Sequence, residues 1–195
     1  QTYMVNHQAC ISDVRSRFFV LPLQEPLVDA MHGEHTHFEL VTATVTLDDG
    51  SQGTGYTYTG GRGGRAICAL TQHDLAPVLI GSDGAEVEAL NQFMGEHLHY
   101  VGRGGIAAFA ISAIDIALWD LAGKTLGVPT YRLLGGAARE RVLLYRHVRC
   151  DSIPNMIEHA HALIHEGYSV LRISPLDAFA PEGVFDAVRG LRGAI

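Results

Sequence analysis

The alternation of apolar and polar residues in the first third of the chain predicts an antiparallel β-meander. Residues 11–23 and 38–47 are rich in valine, phenylalanine and leucine, and the second run ends at an Asp-Asp-Gly turn signal. A third strand is predicted over residues 53–58. The connection over residues 24–37 is long and polar and carries three histidines. Connections of this kind are typical of lids and binding loops.

From residue 66 onward the hydrophobic period becomes helical. Helices are predicted over residues 66–79 and 85–98, and a third begins at Ile106 and ends near Gly127. The third helix has a broad apolar face, so Asp115 within it must find a partner or face solvent. Asp120 and Lys124 stand four residues apart, in the order that favours pairing across one turn. Strands followed by helices predict an α+β module.

After residues 135–136 the pattern changes to alternating strands and helices. Strands are predicted over residues 142–145 and 170–173, and helices over residues 153–166 and 181–192. This order is typical of the opening of a parallel βαβα series. Two parallel strands cannot close a core, because a parallel sheet needs both faces covered. We therefore expect the chain to be the N-terminal portion of a longer protein, or a fragment that needs a partner.

Composition narrows the class of protein. With 195 residues, 47% hydrophobic and 18% charged, the chain is globular rather than disordered. A net charge of −7 argues against nucleic acid as a partner, since no basic stripe is left for phosphates. Neither a signal peptide nor a membrane span is indicated. The three cysteines are Cys10, Cys68 and Cys150. They are odd in number and widely spaced, which fits a reducing cytoplasm.

A known family is suggested by the third predicted helix and the linker that follows it. Residues 110–129 read AISAIDIALWDLAGKTLGVP and residues 131–136 read YRLLGG. This segment resembles the helix and linker that join the capping domain to the barrel in the enolase superfamily, specifically the mandelate racemase and muconate lactonizing enzyme branch. The resemblance implies an α+β capping domain over residues 1–137. The first two βα units of a truncated TIM-like (β/α)7β barrel would follow over residues 138–195.

The same resemblance implies an activity and a cofactor. Members of this branch use Mg²⁺ to abstract the proton alpha to a carboxylate of a small-molecule substrate, and they form homo-oligomers when full length. In the family the Mg²⁺ ligands are carboxylates on the third to fifth barrel strands, and these are not expected within residues 1–195. We therefore assign no metal ligands, and we expect this chain alone to bind no catalytic Mg²⁺ and to be inactive.

Two loops of the capping domain select the substrate in this family. They correspond here to residues 24–37 and 55–65. The candidate substrate contacts are His32 and His35 in the first loop and Tyr56, Tyr58 and Arg62 in the second. The alternative for the second loop is a plain flexible turn, because Gly-Gly-Arg-Gly-Gly is also an ordinary loop composition. A zinc cluster of the histidines is not favoured, since cysteine and ordered carboxylates are lacking there.

The catalytic candidates are expected at the carboxyl ends of the barrel strands, where the chemistry of TIM barrels collects. In the first strand these positions are residues 145–147, of which His147 is the candidate. In the second strand the family pattern is Lys-x-Lys, whereas this chain has Arg172 and Ser174. A serine hydroxyl is far too weak a base to replace the second lysine unless another base assists it.

The replacement of the family's two lysines by Arg172 and Ser174 distinguishes between the possible activities. Racemisation requires an acid or base on each face of the alpha carbon, whereas β-elimination can proceed with one base. The pattern therefore favours dehydration of a sugar acid to a 2-keto-3-deoxy acid, with Arg172 steadying the carboxylate or the enolate oxygen. The alternatives are a racemase, epimerase or lactonizing enzyme of the same branch, or a non-catalytic fragment. A purely structural role, with Arg172 in an ion pair and Ser174 capping a turn, is also open.

Overall fold

The structure of the chain is a computed structural model that describes residues 9–29, 33–173 and 181–195. The chain divides into two compact units. The N-terminal unit comprises Gln1–Pro26 and His35–Ala137, and the C-terminal unit comprises Leu27–Glu34 and Ala138–Ile195.

The three predicted strands form one sheet in the order β1-β2-β3. Their bounds are Ile11–Asp29 for β1, Gly33–Leu47 for β2 and Gln52–Thr59 for β3. The expectation of a long loop over residues 24–37 is wrong, because β1 extends to Asp29 and β2 already begins at Gly33. Residues 24–26 are exposed. A strand that buries neither face lacks the apolar alternation from which strands are predicted, although its backbone can still pair.

The helices of the N-terminal unit follow the predicted order. Residues 64–79 form one helical run composed of α1 (Gly64–Leu70), a π-helical turn (Thr71–Leu75) and α2 (Ala76–Leu79). Next come α3 (Val87–His97), α4 (Ile106–Leu126) and the short α5 (Thr130–Leu133). The π-helical turn was not predicted. Within it, Gln72 accepts a hydrogen bond from the backbone N–H of Ser16 on β1, at 3.0 Å.

Helix α4 covers the inner face of the sheet at close range. A Cβ atom on Gly53 or Gly55 of β3 would lie 2.0 or 2.1 Å from a backbone oxygen of α4. Only glycine permits this approach. The largest fully buried side chains around the contact come from the sheet and from the helical segments 64–79, 87–97 and 106–126: Val41, Val45, Ile67, Leu75, Leu79, Met94, Ile114, Leu118 and Leu121.

The polar residues of α4 have the partners that the sequence requires. Asp115 accepts a hydrogen bond from Asn91 at 2.8 Å. Asp120 pairs with Lys124 at 2.6 Å, as predicted, and also accepts from the Thr54 N–H at 2.8 Å. Partial burial raises the pKa of Asp120, but the hydrogen bonds from Lys124 and Thr54 outweigh it and leave the pKa below its ordinary value. These bonds attach α4 to β3.

By length and composition alone, α4 could cross a membrane, since its mean hydropathy reaches 1.7. Eight of its residues are buried, and seven of these belong to the core of the N-terminal unit. A single helix of this kind is weak evidence for a membrane span, because core helices have the same composition. Packing in the core accounts for its apolar character.

The C-terminal unit contains a pair of parallel strands and two helices. The elements are β4 (Arg146–Val148), α6 (Ile153–His165), β5 (Leu171–Ile173) and α7 (Pro181–Ala194). The parallel pairing and the βαβα order are as predicted. The strand predicted over residues 142–145 is displaced, since β4 begins at Arg146. Val142, Leu143 and Leu144 are 75%, 71% and 66% exposed, and a strand composition forms no ladder without a neighbouring strand to pair with.

Candidate functional site

In the C-terminal unit, two of the candidate catalytic residues lie side by side. His147 on β4 and Arg172 on β5 are register partners across the parallel pair, and both side chains are exposed. Their neighbour Val148 is buried in the core of this unit. Because successive side chains of a strand point to opposite faces, His147 and Arg172 share the face that is turned away from this core.

Tyr145 completes this group. The Arg172 Nη1 donates a hydrogen bond to the phenol oxygen of Tyr145 at 3.2 Å, and its guanidinium carbon lies 5.8 Å from the centre of the Tyr145 ring. The rings of Tyr145 and His147 are 5.6 Å apart between centroids. A guanidinium can hold a carboxylate by two hydrogen bonds, and an imidazole can exchange a proton at neutral pH.

The positions of these residues along the strands differ slightly from the expectation. His147 and Arg172 occupy the middle of their three-residue strands, and Val148 and Ile173 are the last residues. Ser174 lies outside the described residues. The sequence indicates Tyr145 as a strand-end position but does not single it out as a site residue. Its spacing of two from His147 was the available signal, since such residues share a face of an extended chain.

In the N-terminal unit, the tyrosine candidates are on a strand rather than in a loop. The expected loop over residues 55–65 consists of the end of β3, a turn over residues 60–63 and the start of α1. Tyr56 and Tyr58 are 56% and 58% exposed, whereas Thr57 between them is buried. The alternation that turns Gly53 and Gly55 towards α4 turns both phenols to the outer face of the sheet.

His35 is linked to Tyr58 through Phe38 in a row of aromatic rings. His35 stacks on Phe38 at 5.9 Å between centroids, and Phe38 meets Tyr58 edge-on at 5.9 Å. The Nδ1 of His35 lies 3.1 Å from the Gly60 carbonyl oxygen, which places this ring against the turn. Phe38 was not nominated from the sequence, although its even-numbered position aligns it with Leu40, the register partner of Tyr58. His32 lies outside the part of the chain that the structure describes.

The turn over residues 60–63 is built from three glycines and Arg62. The Arg62 side chain is exposed. Glu39, a buried residue of β2, accepts hydrogen bonds from both sides of the turn, namely from Thr59 at 3.0 Å and from the Gly64 N–H at 2.7 Å. Glu39 was missed, because an isolated glutamate in a strand pattern carries no sequence signal of its own. These contacts favour a fixed turn over a plain flexible one.

The described residues do not fit a magnesium site. Over residues 9–29, 33–173 and 181–195 the structure contains no group of three or more His, Cys, Asp or Glu side chains that could hold a metal ion. Magnesium in proteins is held by carboxylates together with water or substrate oxygens. For the whole chain, the expectation of no metal ligands stays a prediction.

The comparisons with known proteins agree on one family. Residues 13–135 match the family described as mandelate racemase / muconate lactonizing enzyme, N-terminal domain. The chain is 44% identical over 126 residues to a 3,6-anhydro-alpha-L-galactonate cycloisomerase of Streptomyces coelicolor, covering 65% of this chain and 35% of the relative. It is 37% identical over 133 residues to a D-mannonate dehydratase of a Sphingomonas species, covering 68% of this chain and 32% of the relative.

A solved structure extends the likeness to the C-terminal unit. The crystal structure of a racemase from Streptomyces coelicolor with bound magnesium matches with a TM-score of 0.84 and 35% identity, covering 94% of this chain and 52% of that one. The chain thus spans about a third of the length of the two curated relatives and about half of the solved one. The family resemblance predicted from residues 110–136 is confirmed. The chain belongs to the mandelate racemase and muconate lactonizing enzyme family, whose N-terminal domain it carries over residues 13–135.

Proposed function

We propose that the protein containing this chain dehydrates a sugar acid. The alpha proton would be removed, hydroxide would leave from the adjacent carbon, and the resulting enol would tautomerise to a 2-keto-3-deoxy acid. The single observation that carries this proposal is the pairing of Arg172 with His147 on one exposed face. A cation and a proton-exchanging ring side by side suit the carboxylate and the alpha carbon of such a substrate. The 37% identity to a D-mannonate dehydratase supports this class of reaction.

In this proposal each candidate residue of the C-terminal unit has a separate role. Arg172 holds the substrate carboxylate or the enolate oxygen, because a guanidinium stabilises charge that develops in the transition state. His147 donates or accepts a proton. Ser174, at the position of the second lysine of the family pattern, supplies no base of its own. One face of the alpha carbon is then without a base, which favours elimination over racemisation.

The candidates of the N-terminal unit are proposed as substrate contacts. Tyr56, Tyr58 and His35 offer groups that bind sugar hydroxyls, and Arg62 offers a second cation for a carboxylate. His32 is proposed for the same role. These assignments are supported by the exposure of both phenols and by the contact between His35 and the turn that carries Arg62.

Several properties of the whole protein belong to the same proposal. We propose a domain boundary near residue 137, a requirement for Mg²⁺ with ligands beyond this segment, a cytoplasmic location and a homo-oligomeric state. The magnesium-containing racemase structure supports the metal requirement. The division of the chain at Ala137 supports the boundary.

A second candidate function is cycloisomerisation or racemisation within the same branch. The 44% identity to an anhydrogalactonate cycloisomerase favours it. Both candidates begin with abstraction of the alpha proton, and they differ in the fate of the enolate. The identity of the product therefore distinguishes them.

The test is proton NMR of the purified full-length protein with Mg²⁺ in D₂O. D-mannonate, D-galactonate and 3,6-anhydro-L-galactonate would be supplied separately, with a chelator-treated sample as the control. We expect loss of water and a deuterated 2-keto-3-deoxy product from one of the first two acids. Deuterium at the alpha carbon with every hydroxyl retained would instead establish a racemase. Rearrangement of the anhydro sugar alone would establish the cycloisomerase, and no change in any acid would contradict both candidates.

A further inference from the structure

Glu39 is a buried carboxylate on a face of β2 whose other buried residues are apolar. Its side chain lies on the inner face of β2 in series with Val41 and Ala43, and the residue is only 9% exposed. Glutamate is almost never this buried unless its oxygens are hydrogen-bonded. The position therefore calls for a specific partner, and two are present.

Both partners of Glu39 flank the same turn. The Oε2 atom accepts from the Thr59 hydroxyl at 3.0 Å and from the Gly64 N–H at 2.7 Å. Thr59 is the last residue of β3 and Gly64 is the first residue of α1. The first N–H groups of a helix have no partner within the helix, and glycine at the preceding position has no side chain that could cap them. Glu39 therefore supplies the missing acceptor from another strand.

The glycines around the turn leave room for this contact. A Cβ on Gly64 would lie 2.9 Å from the Glu39 Oε2 and 2.8 Å from the Phe18 ring. Gly61 and Gly63 have φ angles of +89° and +94°, a region that side chains disfavour. A Cβ on Gly60 or Gly61 would meet the rings of His35 or His37 at 2.7 and 3.1 Å. The turn is thus packed from several sides, and Arg62 alone extends a side chain from it.

We infer that Glu39 is a positioning residue for Arg62. By holding Thr59 and Gly64 on a single oxygen, Glu39 fixes the turn in one conformation and so fixes where the guanidinium is presented. This inference rests on the proposed function, in which Arg62 is a substrate contact. A residue of this kind sets the affinity for the substrate rather than the chemical step, because it does not touch the reacting atoms.

The test compares Glu39→Ala with Glu39→Gln in the purified full-length protein. Alanine leaves the Gly64 N–H without an acceptor, whereas the glutamine carbonyl oxygen can still accept both hydrogen bonds. Glu34→Ala, which removes an exposed carboxylate from the same strand, is the matched control. Hydrogen exchange of the Gly64 amide is measured without substrate, and KM and kcat are measured with the acid that the NMR screen identifies.

For Glu39→Ala we expect Gly64 exchange and KM both to rise about tenfold, the size expected for a buried donor left unpaired, with kcat within about threefold of wild type. Glu39→Gln should restore most of both values, and Glu34→Ala should change neither. Unchanged exchange in Glu39→Ala, or a fall in kcat at constant KM, would overturn the inference. If Glu39→Ala does not fold, Thr59→Val removes one of the two bonds and should raise KM to a smaller extent. A wild-type protein that turns over none of the acids would refute the proposed function, and the exchange result would still decide whether Glu39 fixes the turn.

Discussion

The two units differ in how far each one buries its own sheet. In the N-terminal unit, α4 lies against the inner face of β3 so closely that Gly53 and Gly55 have no room for a side chain. In the described part of the C-terminal unit, two three-residue strands are packed on one side only, and Val142 and Leu143 are exposed. Antiparallel strands joined by short turns complete a core locally, whereas a parallel sheet requires cover on both faces. The residues with candidate catalytic roles, His147 and Arg172, lie on the open face.

The largest expected effect contrasts a buried leucine of one unit with an exposed leucine of the other. Leu118 is fully buried in α4, and Leu143 is 71% exposed. We expect Leu118→Ala to lower the free energy of unfolding by about 2–5 kcal/mol, because it leaves a cavity. Leu143→Ala should change it by less than about 0.5 kcal/mol. Urea unfolding is followed by far-ultraviolet circular dichroism, which reports on the helices of both units, and by the fluorescence of Trp119 in α4. An equal loss of unfolding free energy in the two variants would contradict this difference between the units.

A glycine substitution tests the close contact between β3 and α4. A Cβ on Gly55 would fall 2.1 Å from the Ala113 carbonyl oxygen, and backbone cannot move aside as a side chain can. We expect Gly55→Ala to cost about 1–3 kcal/mol or more. Gly95→Ala in α3 is the matched control, since no atom lies within 4 Å of the added Cβ. In a helix this exchange stabilises by about 0.5–1 kcal/mol. Thermal unfolding should therefore move in opposite directions for the two variants.

The hydrophobic pattern predicted the elements of the N-terminal unit that bury one regular face. The strands around residues 38–47 and 53–58 and the helix from Ile106 were predicted because each buries one regular face. The Asp120–Lys124 pair was predicted because its spacing is local. The extension of β1 to Asp29 was missed because an exposed strand pairs through its backbone, which leaves no apolar alternation. The predicted strand over residues 142–145 was displaced for the opposite reason: its composition suits a buried strand, but no strand among the described residues pairs with it.

A smaller effect concerns the attachment of α4 to β3 by Asp120. Its pKa is lowered in the folded chain, so the carboxylate stabilises the fold above its unfolded-state pKa, and this contribution is lost as the pH falls through the folded-state value. We expect Asp120→Asn to cost about 0.5 kcal/mol at neutral pH, and progressively less as the pH falls into the acid range. The free energy of unfolding of the wild type and of Asp120→Asn is measured from neutral to acid pH. Asp186→Asn in the C-terminal unit is the control. A gap that does not narrow in acid would contradict the assigned role.

The candidate site was predictable only in part, because residues that contact each other there are far apart in the sequence. Arg172 and His147 were each predicted separately as candidates, but their cross-strand pairing depends on the register of β4 and β5. The hydrogen bond from Arg172 to Tyr145 spans 27 residues, and the bonds that Glu39 makes to Thr59 and Gly64 span 20 and 25. Residue types indicate which groups can do chemistry. The partners that orient them come from separate elements and appear only when the elements are assembled.

The most direct test of the proposed function is the kcat/KM of Arg172→Met relative to wild type on the sugar acid identified by NMR. Methionine keeps much of the length and apolar volume of the side chain and removes the charge that would hold the carboxylate. We expect kcat/KM to fall by about 100-fold or more, because truncating one partner of a charged contact costs about 2–5 kcal/mol. Arg172→Lys should retain part of the activity, since it keeps the charge but loses the two-bond geometry. An Arg172→Met protein that dehydrates the acid as fast as wild type would contradict the central role of this residue.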